Sequence, residues 1–255
     1  MDIRISRIDA IMIRQSVALS RYRSDSVRRF AAGIASVAKG DASGFADRIQ
    51  AISQSREVRP GESVVSGETC AWFAHVEVGA TKLVAYASAE REQIVAFHFA
   101  GDLVWVPARA AHHSSLIALS DTSALLFPAE DLLALAQTSP DLSSILLERT
   151  LGALQRCREK AVWLGRKSAV ERVAAFLTTM ATRTGIAAGS GCRLELPMSR
   201  RDIADSLGLT IETVSRQFTE LRLLGLIETH GRCVVGVRDP GRLAALAGNL
   251  PVKPA

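Results

Sequence analysis

Three polar residues in the C-terminal third of the chain are spaced so that their side chains share one helical face. Glu212, Ser215 and Arg216 stand at positions i, i+3 and i+4. An arginine in such a set can donate two hydrogen bonds to guanine O6 and N7, a glutamate can accept from cytosine N4, and a serine can bond to an adjacent base. The alternative is an ordinary surface helix with a Glu–Arg pair worth about 0.3–0.5 kcal/mol.

The residues around this trio predict two short helices joined by a tight turn. The first, Arg200–Leu207, ends at Gly208, which can adopt a positive φ without steric cost. Thr210 is a good N-cap for the second helix, Ile211–Leu224. We expect the inward residues to be Ile203, Ala204, Leu207, Val214, Phe218, Leu221 and Leu224. This is the spacing of a helix-turn-helix, whose second helix enters the major groove of DNA, so the context favours base reading.

A β-hairpin is predicted directly after the two helices. Leu226–Thr229 and Cys233–Val237 flank a turn at His230-Gly231-Arg232. Arg232 at its tip either contacts a phosphate or is a solvated turn residue. Upstream, we expect a helix over Ser168–Thr182, a loop over Gly185–Gly191 and a short strand over Arg193–Leu196. The pattern predicts a winged helix-turn-helix DNA-binding domain over residues 167–255.

The N-terminal half has a different periodicity. A helix over Phe45–Ser55 is followed by short apolar runs between turn signals, namely Trp72–Val78, Lys82–Ala87, Gln93–Phe99 and Ser114–Phe127. Such close spacing indicates an antiparallel barrel or roll over residues 44–135. Residues 1–43 carry no motif; we interpret them as a partly ordered N-terminal extension, with a short helix over Val27–Val37 as the alternative.

One long helix, Ser139–Leu164, is predicted within residues 136–166. A heptad seam runs along it through Ser143, Leu147, Thr150, Leu154, Cys157, Ala161 and Leu164. A second apolar edge, formed by Leu142, Ile145, Leu146, Leu151 and Val162, is available to pack on the barrel. The helix is either buried once, inside its own subunit, or pairs with a second copy. The two-sided pattern favours a homodimer helix with Leu147, Thr150, Leu154, Cys157 and Ala161 at the interface.

Cys157 would then meet its twin across the dimer axis, which makes it a possible redox site. A small packed thiol is the alternative in a reducing compartment.

The composition is that of a globular protein rather than a membrane protein or a secreted one. The chain has 255 residues, 48% hydrophobic and 22% charged, with a net charge of +5, which permits a polyanionic partner. We see no membrane span and no signal peptide, and expect a cytoplasmic protein. The four cysteines form no metal spacing. We find no phosphate loop, nucleophile elbow or HExxH motif, and do not expect an enzyme.

Four segments of the chain resemble the Crp–Fnr superfamily of bacterial transcription regulators, and within it the Fnr/FixK branch. They are Glu90–Trp105, Ser168–Leu177, Leu196–Arg216 and Leu243–Gly248. The resemblance implies an α+β fold with an N-terminal double-stranded β-roll like that of cyclic-nucleotide-binding domains, a long dimerisation helix and a C-terminal winged helix-turn-helix. It also implies a homodimeric activator that works with RNA polymerase in microoxic or anaerobic gene control.

The same resemblance implies residue roles. Glu212, Ser215 and Arg216 match the branch motif that reads palindromic sites of the TTGAT-N4-ATCAA type. Ser199, Arg200 and Thr213 are placed to contact phosphates, which positions a domain without specifying sequence.

The family's known ligand sites are incomplete in this chain. Arg109 stands alone where cyclic-nucleotide-binding members carry an Arg-Ser pair, and no cysteine precedes Cys70, so an iron–sulfur cluster lacks its N-terminal ligands. The roll contains scattered histidines without metal-site spacing, namely His75, His98, His112 and His113. We therefore expect no cofactor. The alternative is an effector-gated regulator of the same fold that binds a small molecule, haem or a redox signal in the roll.

Overall fold

The computed structural model describes residues 25–32, 42–88, 91–108 and 113–248. The described residues divide into two compact units. One contains those up to Ala85 together with those of Phe97–Thr150, and the other contains those of Tyr86–Ala96 together with those from Leu151 onward. The helices are α1 (residues 25–32), α2 (Ala42–Ile52), α3 (Ala129–Gln137), α4 (Pro140–Arg166), α5 (Ala169–Thr184), α6 (Arg200–Leu207), α7 (Ile211–Leu223) and α8 (Pro240–Leu246).

The strands alternate with turns as the N-terminal pattern predicts, and four further strands lie in the C-terminal region. They are β1 (Gln54–Val58), β2 (Ser63–Ser66), β3 (Trp72–Val78), β4 (Ala80–Ser88), β5 (Arg91–Phe99), β6 (Leu103–Val106), β7 (His113–Ala118), β8 (Thr122–Pro128), β9 (Ile186–Ala188), β10 (Gly191–Glu195), β11 (Ile227–His230) and β12 (Val234–Val237). The predicted α+β class, with a β-roll and a C-terminal helix-turn-helix, is confirmed.

Two four-stranded sheets build the β-roll, with strand orders β1-β8-β3-β6 and β2-β7-β4-β5. Because side chains alternate along a strand, β3 sends Ala74 and Val76 to one face and Phe73 and His75 to the other. The first face belongs to a buried aliphatic cluster that includes Val64, Val104, Val106, Leu116 and Leu126.

The other face of the first sheet packs against helices. Phe127 of β8 lies in a second buried cluster with residues of α1, α2, α3 and α4, which include Val27, Phe30, Ile49, Leu132, Leu142 and Leu146. The Phe30 ring stacks on Phe127 with centroids 5.2 Å apart. The described part of the N-terminal extension is therefore a packed helix rather than a loose arm. Val27 and Phe30, three residues apart, form one apolar face that the sheet buries. The remainder of the predicted helix, residues 33–37, lies outside the described residues.

Several element boundaries differ from the predicted ones in the N-terminal half. The helix predicted over Phe45–Ser55 ends at Ile52, because Ser55 already pairs with Leu125 in the sheet. The single apolar run Ser114–Phe127 is two strands, β7 and β8. Helix α3, which the apolar pattern does not predict, follows β8 directly. The predicted domain boundaries at residues 43, 135 and 166 stay a prediction.

The C-terminal unit contains α5–α8 and a sheet of order β11-β12-β10-β9. Helix α5 begins at Ala169, one residue after the predicted start, because Ser168 is its N-cap and forms a capping box with Glu171. The segment predicted as a loop over Gly185–Gly191 contains β9, which pairs with β10. Along the described chain, no helix combines the length and the apolar composition that a membrane crossing requires.

Candidate nucleic-acid interface

Side chains within the helix-turn-helix fix the ends of its two helices. The Ser199 hydroxyl accepts from the Asp202 N–H at 3.1 Å and donates to Asp202 Oδ2 at 2.6 Å. Helix α6 ends at Gly208, whose φ of 61° is left-handed. Thr210 then caps α7, its Oγ1 accepting from the Thr213 N–H at 3.2 Å. The turn between the helices is therefore set by contacts that span only three residues.

The apolar faces of α6 and α7 pack as predicted, with one exception. Ile203, Ala204, Leu207, Val214, Phe218 and Leu221 are all buried. Leu224, predicted to face inward, is 47% exposed. The prediction for Leu224 was wrong because α7 ends one residue earlier and the chain turns at Gly225.

Glu212, Ser215 and Arg216 lie together on the exposed face of the first two turns of α7. The pKa of the Glu212 carboxyl is lowered, first by its own backbone N–H and then by the Thr210 hydroxyl, with a smaller contribution from Arg216. Arg216 Nη2 lies 3.4 Å from Thr213 Oγ1, to which it donates. The face thus presents a carboxylate, a hydroxyl and a guanidinium to solvent.

The three predicted phosphate-contacting residues have different surroundings. Ser199 uses both its N–H and its hydroxyl on Asp202. The Arg200 guanidinium lies over the Phe218 ring, 3.3 Å from its centroid, and partial burial lowers its pKa. Thr213 Oγ1 lies 3.1 Å from Thr210 Oγ1. Arg200 thus combines a packing contact with a half-buried cation at the start of α6.

The hairpin after α7 is the wing that the sequence predicts. β11 and β12 pair from Ile227↔Val237 to His230↔Val234, and the exposed Arg232 lies in the turn after Gly231. Arg238 forms an ion pair with Glu228 that the sequence pattern does not predict. The Glu228 carboxylate also lies 3.3 Å from His230 Nε2. Arg238 is also the main cause of the lowered pKa of Glu228. Residues 228 and 230 are two positions apart on β11, so their side chains share one face of the sheet. This spacing is the sequence feature that could have predicted the cluster.

Helix α4 carries exposed apolar residues along the predicted heptad seam. The interface residues Leu147, Thr150, Leu154, Cys157 and Ala161, hereafter the α4 stripe, are all exposed. Leu147 is 60% and Leu154 44% exposed. On the second predicted edge, Leu142 and Leu146 are buried against the roll, whereas Leu151 and Val162 are exposed; the prediction that those two residues pack on the barrel was wrong.

The predicted ligand candidates in the roll do not form a metal centre within the described residues, since no three His, Cys, Asp or Glu side chains come together there. His75 lies under Phe30 with ring centroids 4.8 Å apart, and burial lowers its pKa to about 4. The His113 Nε2 is 3.1 Å from Ser66 Oγ, and His113 is the first residue of β7. Arg109 and His112 lie outside the described residues.

The cysteines are all free thiols in the structure. Cys70, Cys157 and Cys233 are exposed, and partial burial raises the pKa of Cys192.

The capped two-helix turn followed by a hairpin makes the C-terminal unit a winged helix-turn-helix, a class of DNA-binding domain. Residues 171–246 match the family model of the Crp-like helix-turn-helix domain.

Relatives and solved structures match much more of the chain. The nitrogen fixation regulation protein FixK of Bradyrhizobium diazoefficiens is 38% identical over 189 residues, which cover 73% of this chain and 79% of that protein. The transcriptional activator protein FnrL of Cereibacter sphaeroides is 32% identical over 79% of this chain and 83% of its own length. The structure of FixK2 from Bradyrhizobium japonicum, 32% identical, superposes with a TM-score of 0.66 and covers 80% of this chain and 100% of FixK2.

The chain belongs to the Crp–Fnr superfamily of DNA-binding transcription regulators, in its FixK-like branch.

Proposed function

We propose that the protein is a homodimeric activator that recognises a palindromic TTGAT-N4-ATCAA-like operator. Glu212, Ser215 and Arg216 of each protomer read one half-site in the major groove. The observation that carries this proposal is the position of the trio: it is exposed, on the N-terminal half of a capped recognition helix, opposite that helix's buried face. Arg200 and Thr213 contact the flanking phosphates, as does the Ser199 segment at the start of α6.

The α4 stripe supports the homodimer. Apolar side chains at heptad spacing that stay exposed in one chain are suited to pair with the same residues of a second copy. Two-fold pairing places two recognition helices about one DNA turn apart, which explains why the proposed site is a palindrome.

The regulatory role rests on the relatives. Their names describe regulation of nitrogen fixation and transcriptional activation. We propose that this chain likewise activates transcription with RNA polymerase, in the cytoplasm, under microoxic or anaerobic conditions. We also propose that it acts without cyclic nucleotide, iron–sulfur cluster or other cofactor, and that the abundance of the protein sets its activity.

An effector-gated regulator of the same fold is the second candidate. The observation that favours it is His75, whose Nδ1 is buried without a hydrogen-bond partner among the described residues. Saturable thermal stabilisation by haem or another added ligand would support this candidate.

Operator titration tests the main proposal. Purified protein without added ligand is titrated against a TTGAT-N4-ATCAA duplex and a scrambled duplex at one physiological salt concentration. We expect tight, selective binding. Arg216→Ala is expected to weaken the free energy of operator binding by about 1–3 kcal/mol per half-site.

Arg222→Ala is the matched control, because Arg222 is exposed on the last turn of the same helix. If the wild type prefers the operator duplex to the scrambled duplex and Arg216→Ala keeps that preference, the assignment of the reading residues is disproved. A wild-type protein without selectivity would disprove the proposed operator.

A further inference from the structure

The C-terminal carbonyl groups of α6 are bound by side chains from outside the helix-turn-helix. An α-helix leaves its last four carbonyls without intrahelical partners. Ala204 O accepts from the Leu209 N–H at 3.0 Å, within the turn itself. Asp205 O accepts instead from Gln93 Nε2 of β5, and Leu207 O accepts from Arg172 Nη1 of α5 at 3.1 Å. The first helix of the motif is therefore attached at two points to other elements of its own compact unit.

Arg172 joins the ends of two helices. Its Nη2 donates to Leu164 O in the last turn of α4 at 2.8 Å, and its Nε donates to the O atom of Lys167, the residue directly after α4, at 3.0 Å. The guanidinium is planar and its N–H groups point in fixed directions, so binding three carbonyls at once defines their relative positions. The end of α4 and the end of α6 are held together by one rigid group.

Gln93 joins α6 to the β4–β5 hairpin. The next two residues on β5, Ile94 and Val95, accept hydrogen bonds through their carbonyl oxygens from Lys160 Nζ of α4, both at 2.8 Å. Lys160 is half-buried, and burial lowers its pKa to about 8. The start of β5 is thus bound to α4 through Lys160 and to α6 through Gln93.

The turn of the motif lies directly beside these contacts. A side-chain carbon at Gly208 would be 3.4 Å from Leu164 Cδ2 and 3.9 Å from Arg172 Nη1. Because α7 packs on α6 through their buried faces, any rotation of α6 on α4 also moves the residues that read bases.

We propose that Arg172 and Gln93 are positioning residues for operator recognition, which fix the direction in which the helix-turn-helix leaves α4. This inference rests on the proposed function, since its effect is on the reading of a two-part site. A palindrome demands a fixed separation of two recognition helices, whereas binding to random DNA depends on charge and tolerates a range of orientations. Loss of these two residues therefore lowers specific binding more than non-specific binding.

The experiment compares Arg172→Met, Gln93→Glu and wild type on the operator and scrambled duplexes at fixed salt. Methionine keeps an unbranched apolar chain but has no donor, and glutamate removes the amide donor at nearly constant volume. We expect each variant to bind the operator about tenfold or more weakly, as the loss of hydrogen bonds to fixed partners implies. Because the two residues hold the same helix, the fold-loss of operator affinity in the double variant is expected to be smaller than the product of the fold-losses in the two single variants.

Two controls separate positioning from loss of charge and from loss of fold. Arg166→Met removes an exposed arginine at the end of the same α4 helix, and binding of the scrambled duplex by Arg172→Met should match that of this control. Gln93→Lys restores a donor and should recover most of the lost operator affinity. If Arg172→Met and Gln93→Glu keep wild-type operator affinity, the proposal is wrong. It is also wrong if they lose affinity for the operator and scrambled duplexes by the same factor, and that factor is larger than the one measured for the control.

A second measurement keeps the proposal testable if the operator itself is wrong. Amide hydrogen exchange of Gly208 and Leu209 is expected to be faster in Arg172→Met than in wild type, while exchange in β11 and β12 is unchanged. Unchanged exchange at the turn would overturn the positioning role. A wild-type protein without operator selectivity would instead overturn only the proposed function.

Discussion

Arg200 makes a packing contact at the position where we propose that it also contacts DNA. Its guanidinium covers Phe218, the buried aromatic residue of α7, at the start of α6 where a phosphate contact is proposed. A cation held over a ring loses little further side-chain freedom when an anion binds, so the contact that stabilises the fold also orients the guanidinium for the proposed phosphate contact.

Arg200→Ala is therefore expected to have two separable effects. Loss of the cation–π contact lowers the free energy of unfolding by about 1 kcal/mol, measured by chemical denaturation. Loss of one phosphate contact per protomer reduces the slope of log K against log salt concentration by about 0.9 per contact. Arg242→Ala, which removes an exposed arginine from α8, is the control for net charge. Equal salt slopes for the two variants would contradict a phosphate role for Arg200.

The sequence predicts where the proposed reading residues lie but not the proposed positioning residues, because the contacts that hold the two sets differ in sequence range. The caps at Ser199 and Thr210 act over three residues, so the helices that display Glu212, Ser215 and Arg216 can be inferred from local spacing. The bond from Gln93 to Asp205 joins residues 112 positions apart. No local period encodes such a contact; it exists only once the β4–β5 hairpin and α6 have been folded into one unit.

At the scale of elements, α4 illustrates both the power and the limit of a hydrophobic period. The heptad pattern correctly predicted a single long helix, which runs from Pro140 to Arg166. Burial along its second edge was predicted correctly at Leu142 and Leu146 but not at Leu151 or Val162. The reason is that apolar spacing states which residues share a face, whereas the neighbouring elements decide how much of that face is covered.

The α4 stripe is expected to hold the dimer. Leu154→Glu places a charge at its centre and forfeits the burial of a leucine, worth about 1.5–3 kcal/mol in each protomer. Sedimentation velocity is expected to show a dimer for wild type and a monomer for the variant, and operator affinity should fall with it. Leu223→Glu, at a leucine that is 81% exposed at the end of α7, is expected to stay dimeric. A Leu154→Glu dimer would place the interface elsewhere.

At the scale of the whole molecule, acid sensitivity of the roll follows from one buried imidazole. Burial is the main cause that lowers the pKa of His75 from 6.5 to about 4, against the opposing effect of a hydrogen bond with the Asp102 backbone. The unfolded chain therefore binds this proton at a higher pH than the folded protein does. The neutral His75 side chain contributes up to about 3 kcal/mol to the free energy of unfolding. This contribution is fully present above pH 6.5 and is lost as the pH falls toward 4.

His75→Phe should flatten that part of the pH dependence. Urea denaturation followed by tryptophan fluorescence, with Trp72 and Trp105 as reporters in the roll, gives the free energy of unfolding at each pH. Between pH 6.5 and 4 the wild type is expected to lose more stability than the variant. His230→Gln, which removes an exposed histidine outside the roll, is the matched control. Parallel slopes for His75→Phe and wild type would rule out His75 as the source.

The cap at Thr210 has a consequence for how such a regulator can acquire new targets. Since Thr210 sets the first residue of α7, positions 212, 215 and 216 keep their angles around the helix whatever side chains occupy them. A substitution at one of these exposed positions changes the chemistry of the proposed reading surface without moving its neighbours or disturbing the core beneath. Descendants of one gene can therefore diverge in the promoters they select through one or two codon changes, while the remainder of the domain is inherited intact.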